Sequence, residues 1–460
     1  MLGSFRDPAG FVFQHRGGIH RLVRPGFAEH YDRLMGSGLY AAAVERGLLV
    51  AHEEVDARDV GGPAEAEPAH RVLRPEPVPF ISYPYEWCFS QLRDAALLTL
   101  DLARLACERG LVLKDASAYN VQFWGSSPVL IDTLSFEIAL DGAPWPAYYQ
   151  FCKHFLAPLA VASKADGELG RELRVHLDGL PLRAASRALP LRSWVSPGLL
   201  SHIHLHAATE RASVARRVGR LSPRSGRVSR NGFLGLLEHL ERLVRSLDPP
   251  RVKTAWGDYE RSTHYSPEAA AHKTEIVSAA IEEIEPTSVW DLGANTGRYS
   301  RIASGLGIPT LALDADVEAV ERNYLRCRAE RDGKLQPLRM DLTNPSPAIG
   351  WRCEERMSLA QRGPCDLALA LALVHHLVLG EGIPLEEVAR GLRTYAQALV
   401  VEWVPPTDAC AAPLLARRPQ AETSYTETRF QTALANEFEI VRQWKLRDSE
   451  RALYLLRVKR

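Results

Sequence analysis

Apolar residues in the first fifty positions fall into two short runs, Phe11-Val12-Phe13 and Ile19 to Val23, around Gly17-Gly18, which predicts a β-hairpin. Residues 59–79 carry Gly61-Gly62-Pro63 and several prolines and read as a loop. A helical period follows. Leu92, Ala96, Leu100, Ala103 and Leu105 recur along it, Ser90 serves as its cap and Gly110 as its stop. Short strands are expected around Val121–Phe123 and Val129–Ile131. From 171 to 253 helix signals shorten and arginine outnumbers acid. The best helix there is Asn231–Arg245, with Phe233, Leu236, Leu237, Leu240 and Val244 on one face. From about 255 strands alternate with amphipathic helices, the pattern of a parallel sheet covered on both faces.

Five strands are expected in that last part. The first, Val289-Trp290-Asp291-Leu292, runs into Gly293-Ala294-Asn295-Thr296-Gly297 and then a helix. Glycines there let the backbone come close to a ligand, and a helix N-terminus offers donors to a polar group. The second strand, Pro309 to Leu313, ends in Asp314, where an acid can accept from both hydroxyls of a ribose. A third strand end gives Met340-Asp341-Leu342, a fourth runs from Cys365 to His376, and a fifth spans Ala398 to Trp403. Glu439 to Lys445 and Ala452 to Val458 then predict an antiparallel hairpin.

In this order and spacing the segment from about 255 to 460 resembles the class I S-adenosylmethionine-dependent methyltransferases. The resemblance implies a Rossmann-like, seven-stranded α/β sheet with a C-terminal antiparallel hairpin and S-adenosyl-L-methionine as cofactor. It also implies that Asp291, Gly293, Asn295 and Gly297 surround the methionine part, that Asp314 holds the ribose, and that Asp341 and Leu342 flank the adenine. Trp256-Gly257-Asp258-Tyr259, His264-Tyr265 and the helix carrying Lys273 lie just upstream, where such enzymes close over the cofactor; Tyr259 and Lys273 are therefore cofactor candidates. The same aromatic patch is as readily packing between domains.

A second resemblance lies ahead of it. Asp115-x-x-x-x-Asn120, followed by the strand Val129-Leu130-Ile131 ending in Asp132, is similar to the catalytic loop and metal-binding strand of protein kinase-like folds. No lysine precedes Lys114, no G-x-G-x-x-G loop is present, and Asp132-Thr133-Leu134 lacks the glycine of that strand end. A nucleotide's phosphates would thus lose their main anchors. The expectation is a degenerate, pseudokinase-like α+β domain at 1–165, a helical arginine-rich connector at 166–250 and the methyltransferase domain at 251–460. The combination resembles a bacterial group that includes nodulation-associated methyltransferases.

Methyl transfer to a hydroxyl needs a base. His375 and His376, past the fourth strand, and Glu402, at the end of the fifth, are the catalytic candidates, against the plainer reading that they only hold the fold. No N/D-P-P-Y motif supports methylation of an amine or amide nitrogen. His202, His204 and His206 form H-x-H-x-H, but without nearby acid or cysteine they read as connector residues, and no metal is expected.

Composition narrows the partners. Lys plus Arg and Asp plus Glu both number 56, so no net field favours nucleic acid or an anionic membrane. Seven scattered cysteines without a C-x-x-C pair suit a reducing compartment. No signal peptide or membrane span is read, and a cytoplasmic enzyme is expected. Its acceptor is expected to be a small molecule or glycan methylated on oxygen. An RNA methyltransferase gripping phosphates with Arg216, Arg217, Arg220, Arg224, Arg227 and Arg230 is the alternative, and a scaffold of two inactive folds is a third reading.

Overall fold

The computed structural model describes residues 6–61, 68–165, 172–208, 227–250, 265–421 and 423–459. Its contacts divide the chain into two units. One comprises Met1–Phe123, Pro128–Arg251 and Gly350–Arg356, and the other Trp124–Ser127, Val252–Ile349 and Met357–Arg460.

The first unit opens with the expected hairpin, β1 (Gly10–His15) and β2 (Gly18–Val23), turning at Gly17 with φ +80°. Strands β3 (His52–Val55) and β4 (Arg71–Pro75) complete an antiparallel sheet in the order β1-β2-β4-β3. Strand β4 lies inside the stretch expected to be a loop. Val72 and Leu73 are buried on opposite sides of it, and Pro75 stands at its end, where a missing N–H costs least. Alternation sorts the side chains: Phe11, Phe13, Leu22 and Val72 form one cluster, while Val23, Phe27, Tyr31 and Leu73 join another. The long helix, α1 (Phe89–Glu108), starts at Cys88 and not at Ser90. The Gln91 side chain accepts the Cys88 N–H at 2.9 Å, and Ser90 is buried in the first turn. After Gly110 (φ +73°) come two short pairs, β5 (Leu111–Leu113) with β8 (Phe136–Ile138), and β6 (Val121–Trp124) with β7 (Ser127–Leu130).

Short helices fill much of the described part of 172–208, and α2 (Arg230–Arg245) follows, capped by Ser229, with Leu237, Leu240, Leu243 and Val244 buried. The H-x-H-x-H histidines sit on helical turns. His202 meets the Tyr148 hydroxyl at 2.6 Å and His239 at 3.1 Å, while His204 lies 2.8 Å from both Ser186 and Ser193. Among the described residues no group of three His, Cys, Asp or Glu is arranged to hold a metal ion.

The second unit is built on one mixed sheet. Its strands are β9 (Val289–Leu292), β10 (Thr310–Asp314), β11 (Leu335–Arg339), β12 (Cys365–Ala370), β13 (Ala396–Trp403), β14 (Phe438–Lys445) and β15 (Ala452–Val458). They run in the order β11-β10-β9-β12-β13-β15-β14, the first five parallel and the last two antiparallel. Leu367, Leu369, Ala398, Val400, Leu453 and Leu455 point to one face, where they meet Ile276, Val277, Ala280 and Ile281 of α3 (Pro267–Ile284). The alternate residues Ala368, Leu399, Val401, Tyr454 and Leu456 are buried as well. Burial on both faces explains the near-continuous apolar runs of these strands. Strand β12 stops at Ala370 instead of reaching His376. Ala372 turns with φ +50°, and the chain re-enters a helical turn at Val374.

Candidate functional site

Beyond β9 the chain turns at once, with positive φ at Gly293 (+78°), Asn295 (+50°) and Gly297 (+79°). Such angles are cheap for glycine and tolerated by asparagine. Space demands glycine too. A side chain at Gly297 would run into Asn323 and the Arg301 guanidinium, and one at Gly293 would press on Leu373. The N–H groups of Gly293 and Ala294 donate to the Leu313 carbonyl at 2.8 and 3.0 Å, which fastens the turn to β10. From α4 (Ser300–Gly305), Arg301 donates to the carbonyls of Thr296 and Gly297 at 2.8 and 2.9 Å. These bonds fix a backbone cradle between two strand ends.

Asp314 stands at the tip of β10. One oxygen accepts the Asn295 N–H at 2.7 Å and the other the Asp316 N–H at 2.8 Å. A carboxylate offers about four acceptor positions, so each oxygen retains capacity for a ligand hydroxyl. The residues therefore fit a ribose diol. Burial pushes the Asp314 carboxyl up, opposed by those backbone donors. Asp291 lies under the cradle, 2% exposed, and accepts from the Ser300 hydroxyl at 2.6 Å. Burial pushes its pKa up to about 6. The Met340 N–H donates to the Asp314 carbonyl at 2.8 Å, so Asp341 and Leu342 follow directly after the point where β11 and β10 are tied. Asp341 turns onto Thr343, accepting from its N–H at 2.9 Å and its hydroxyl at 2.6 Å. Tyr259, with Trp256, Gly257, Asp258 and His264, lies outside the described residues.

His375 and His376 open the helical turn after β12, their rings 4.0 Å apart between centroids. His375 is fully buried, neither ring nitrogen has a hydrogen-bond partner among the described residues, and burial pushes its pKa down to about 2. Burial lowers His376 as well.

Lys273 and Glu402 meet each other. Lys273 Nζ lies 2.7 Å from Glu402 Oε2 and donates to the Tyr265 hydroxyl at 3.0 Å, and that hydroxyl donates to Glu402 Oε1 at 2.6 Å. Arg451 completes the group. Its guanidinium bonds the Tyr265 hydroxyl, forms a two-point pair with Asp408 at 2.7 and 2.8 Å, and approaches Glu402 to 3.5 Å. Burial alone would raise the Glu402 carboxyl, but Lys273 and Arg451 outweigh it and hold the group below its usual range. No local pattern marks Arg451, which sits in a polar turn and acquires partners only when β15 joins the sheet.

In the first unit Asp115, Asn120 and Asp132 are brought together. Asp115 accepts from the Ser117 N–H at 2.9 Å and from Gln150 at 2.8 Å, and its carboxyl is raised by burial and by the charge of Asp132. Asn120 reaches Ser135 at 3.4 Å, and Ser135 donates to Asp132 at 2.8 Å. A residue absent from the kinase-like pattern joins them. Arg21 of β2 lies 2.7 Å from Asp132 and 2.9 Å from Asp7. Asp132 thus already carries a cation.

A parallel sheet closed by an antiparallel pair, a glycine turn after its first strand and an acid at the tip of the second define a class I S-adenosylmethionine-dependent methyltransferase, here preceded by a kinase-like region. The chain belongs to the family of the nodulation protein NoeA. The relative from Rhizobium meliloti (strain 1021) is 32% identical over 466 residues, covering 99% of this chain and 95% of that one. No protein-family model matches. Among solved structures, the bifunctional kinase-methyltransferase WbdD is similar at 15% identity over 44% of this chain and 41% of its own, with a TM-score of 0.32. The match thus spans about two fifths of WbdD. Magnesium protoporphyrin IX methyltransferase from Synechocystis PCC 6803, solved with bound SAH, is similar at 16% identity over 48% of this chain and 94% of its own, with a TM-score of 0.30.

Proposed function

We propose that this protein transfers the methyl group of S-adenosylmethionine to an oxygen of a small-molecule or glycan acceptor. In this reading residues 251–460 hold the donor, residues 1–165 form a kinase-like domain that presents the acceptor without phosphorylating it, and 166–250 connect them. The observation that carries the reading is the Asp314 carboxylate, held by two backbone N–H groups beside a turn where side chains are sterically excluded. The donor supplies an electrophilic methyl group when bound; the chain's own part is to orient it, exclude water and receive the acceptor's proton.

Of the base candidates, His376 suits the task best. His375 stays neutral over the whole working range but is too weak a base at a pKa of about 2. Glu402 is enclosed by Lys273, Tyr265 and Arg451. We assign Glu402 and Lys273 to holding strand ends and not to the acceptor or donor. The RNA reading rests on arginines of which Arg216, Arg217, Arg220 and Arg224 lie outside the described residues.

Calorimetry with S-adenosylmethionine tests the donor site. Binding is expected, weakened about tenfold or more by Asp314→Ala through loss of charge-assisted hydrogen bonds. Labelled methyl transfer into fractionated host extract then identifies the acceptor. Failure of the native protein to bind the donor would leave only a scaffold.

A further inference from the structure

The second unit holds a cavity of about 350 Å³ that the donor site does not use. Its walls include Val378, Gly382 and Glu386 from the segment after β12, and Arg418, Ser424 and Arg429 from the segment after β13. It therefore lies where the carboxyl ends of two parallel strands lead, the side on which open α/β sheets receive ligands. The turn that lines it begins with His375 and His376. The volume is within the range of small-ligand sites.

Among the described residues that line the cavity, two arginines, Arg418 and Arg429, meet one carboxylate, Glu386. Ion pairs hold other arginines of this unit, among them Arg301 and Arg451. No ion pair within 4.0 Å joins Arg418 or Arg429 to a carboxylate among the described residues. Room has been made for one of them. Gly382 has φ +78°, and any side chain there would run into the Arg418 guanidinium. Arg429 lies in the first turn of the helix Glu427–Glu437. Thr426 caps that helix by accepting the Arg429 N–H at 3.3 Å. The helix start adds partial positive charge, which Glu427 in the same turn partly offsets.

We propose that this cavity binds an anionic group of the methyl acceptor, a carboxylate, sulfate or phosphate ester, through Arg418 and Arg429. Planar guanidinium forks match such groups in two-point contacts. The link to the acceptor rests on the methyltransferase reading, but the anion site itself does not.

Calorimetric titration of the full chain with inorganic sulfate, at low ionic strength, tests the site. Sulfate is expected to bind the native protein, with affinity falling about tenfold or more in Arg418→Gln/Arg429→Gln. Glu386→Gln is expected to tighten binding, and Gly382→Val, which displaces Arg418, to weaken it. S-adenosylmethionine affinity should stay within about twofold in all of them, which also verifies that they fold. Equal sulfate binding by the native protein and the double variant, or no binding by either, overturns the proposal. Loss of donor binding in the native protein would overturn the methyltransferase reading instead, while the sulfate result still decides the fate of the pocket.

Discussion

Asp291 shows how one side chain couples the site to pH. Its burial raises the pKa from an ordinary 3.8 to about 6. An unfolded chain would release this proton near pH 4, whereas the folded one keeps it to about 6. Stability contributed by the protonated group is therefore present at low pH and lost as pH rises through that window. Asp291→Asn cannot ionise but still accepts from Ser300. Its stability relative to the native protein should improve between pH 4 and 6 by about 3 kcal/mol and level off above. Urea unfolding at a series of pH values measures this, and a flat difference would show that Asp291 titrates normally. The residue was legible in the sequence because its signal is local, an acid followed by Gly293 and Gly297 at the end of an apolar strand. Arg21 and Arg451 were not. Each gains its role from carboxylates far away in sequence, and nothing in the neighbouring residues marks an arginine for burial.

At the scale of elements, the Lys273–Glu402–Arg451 group ties three of them together: α3, β13 and the start of β15. Both Lys273 and Glu402 are essentially inaccessible, so breaking the pair leaves a charge without compensation. Glu402→Gln should cost about 3–5 kcal/mol, read as a lower denaturation midpoint. Replacing both with apolar residues, Lys273→Met/Glu402→Leu, should restore part of that loss. A Glu402→Gln protein as stable as the native one would contradict this role. Periodicity revealed the parallel strands well because both faces are buried, but it overran the end of β12. Leu371-Ala372-Leu373-Val374 continues the apolar run, and an alanine with φ +50° carries no mark of a turn. The opposite error occurred at β4, where prolines and glycines on either side hid a strand whose two central residues are buried.

For the whole molecule, the consequential point is that one of its two regions is expected to do no chemistry. The metal-binding position of the kinase-like set, Asp132, is paired with Arg21 at 2.7 Å, and a divalent cation there would have to displace a guanidinium from two carboxylates. Magnesium-ATP is accordingly expected to leave the melting temperature unchanged and to undergo no hydrolysis. Hydrolysis that disappeared in Asp132→Ala would refute this. The loop pattern Asp115-Asn120-Asp132 was readable from spacing, as was the lack of a phosphate-anchoring lysine. The arginine paired with Asp132 was not, because it enters from β2. A different kind of consequence follows from the strand order. β15 is made last, yet it lies between β13 and β14. During synthesis, at roughly 5–20 residues per second, the open edge of β13 waits for seconds while β14 emerges with no partner. An unpaired apolar edge is a site for pairing with other chains. The interval before β15 arrives is therefore when a nascent chain is most exposed to aggregation, and a ribosome stalled shortly before Ala452 would leave a sheet that cannot close.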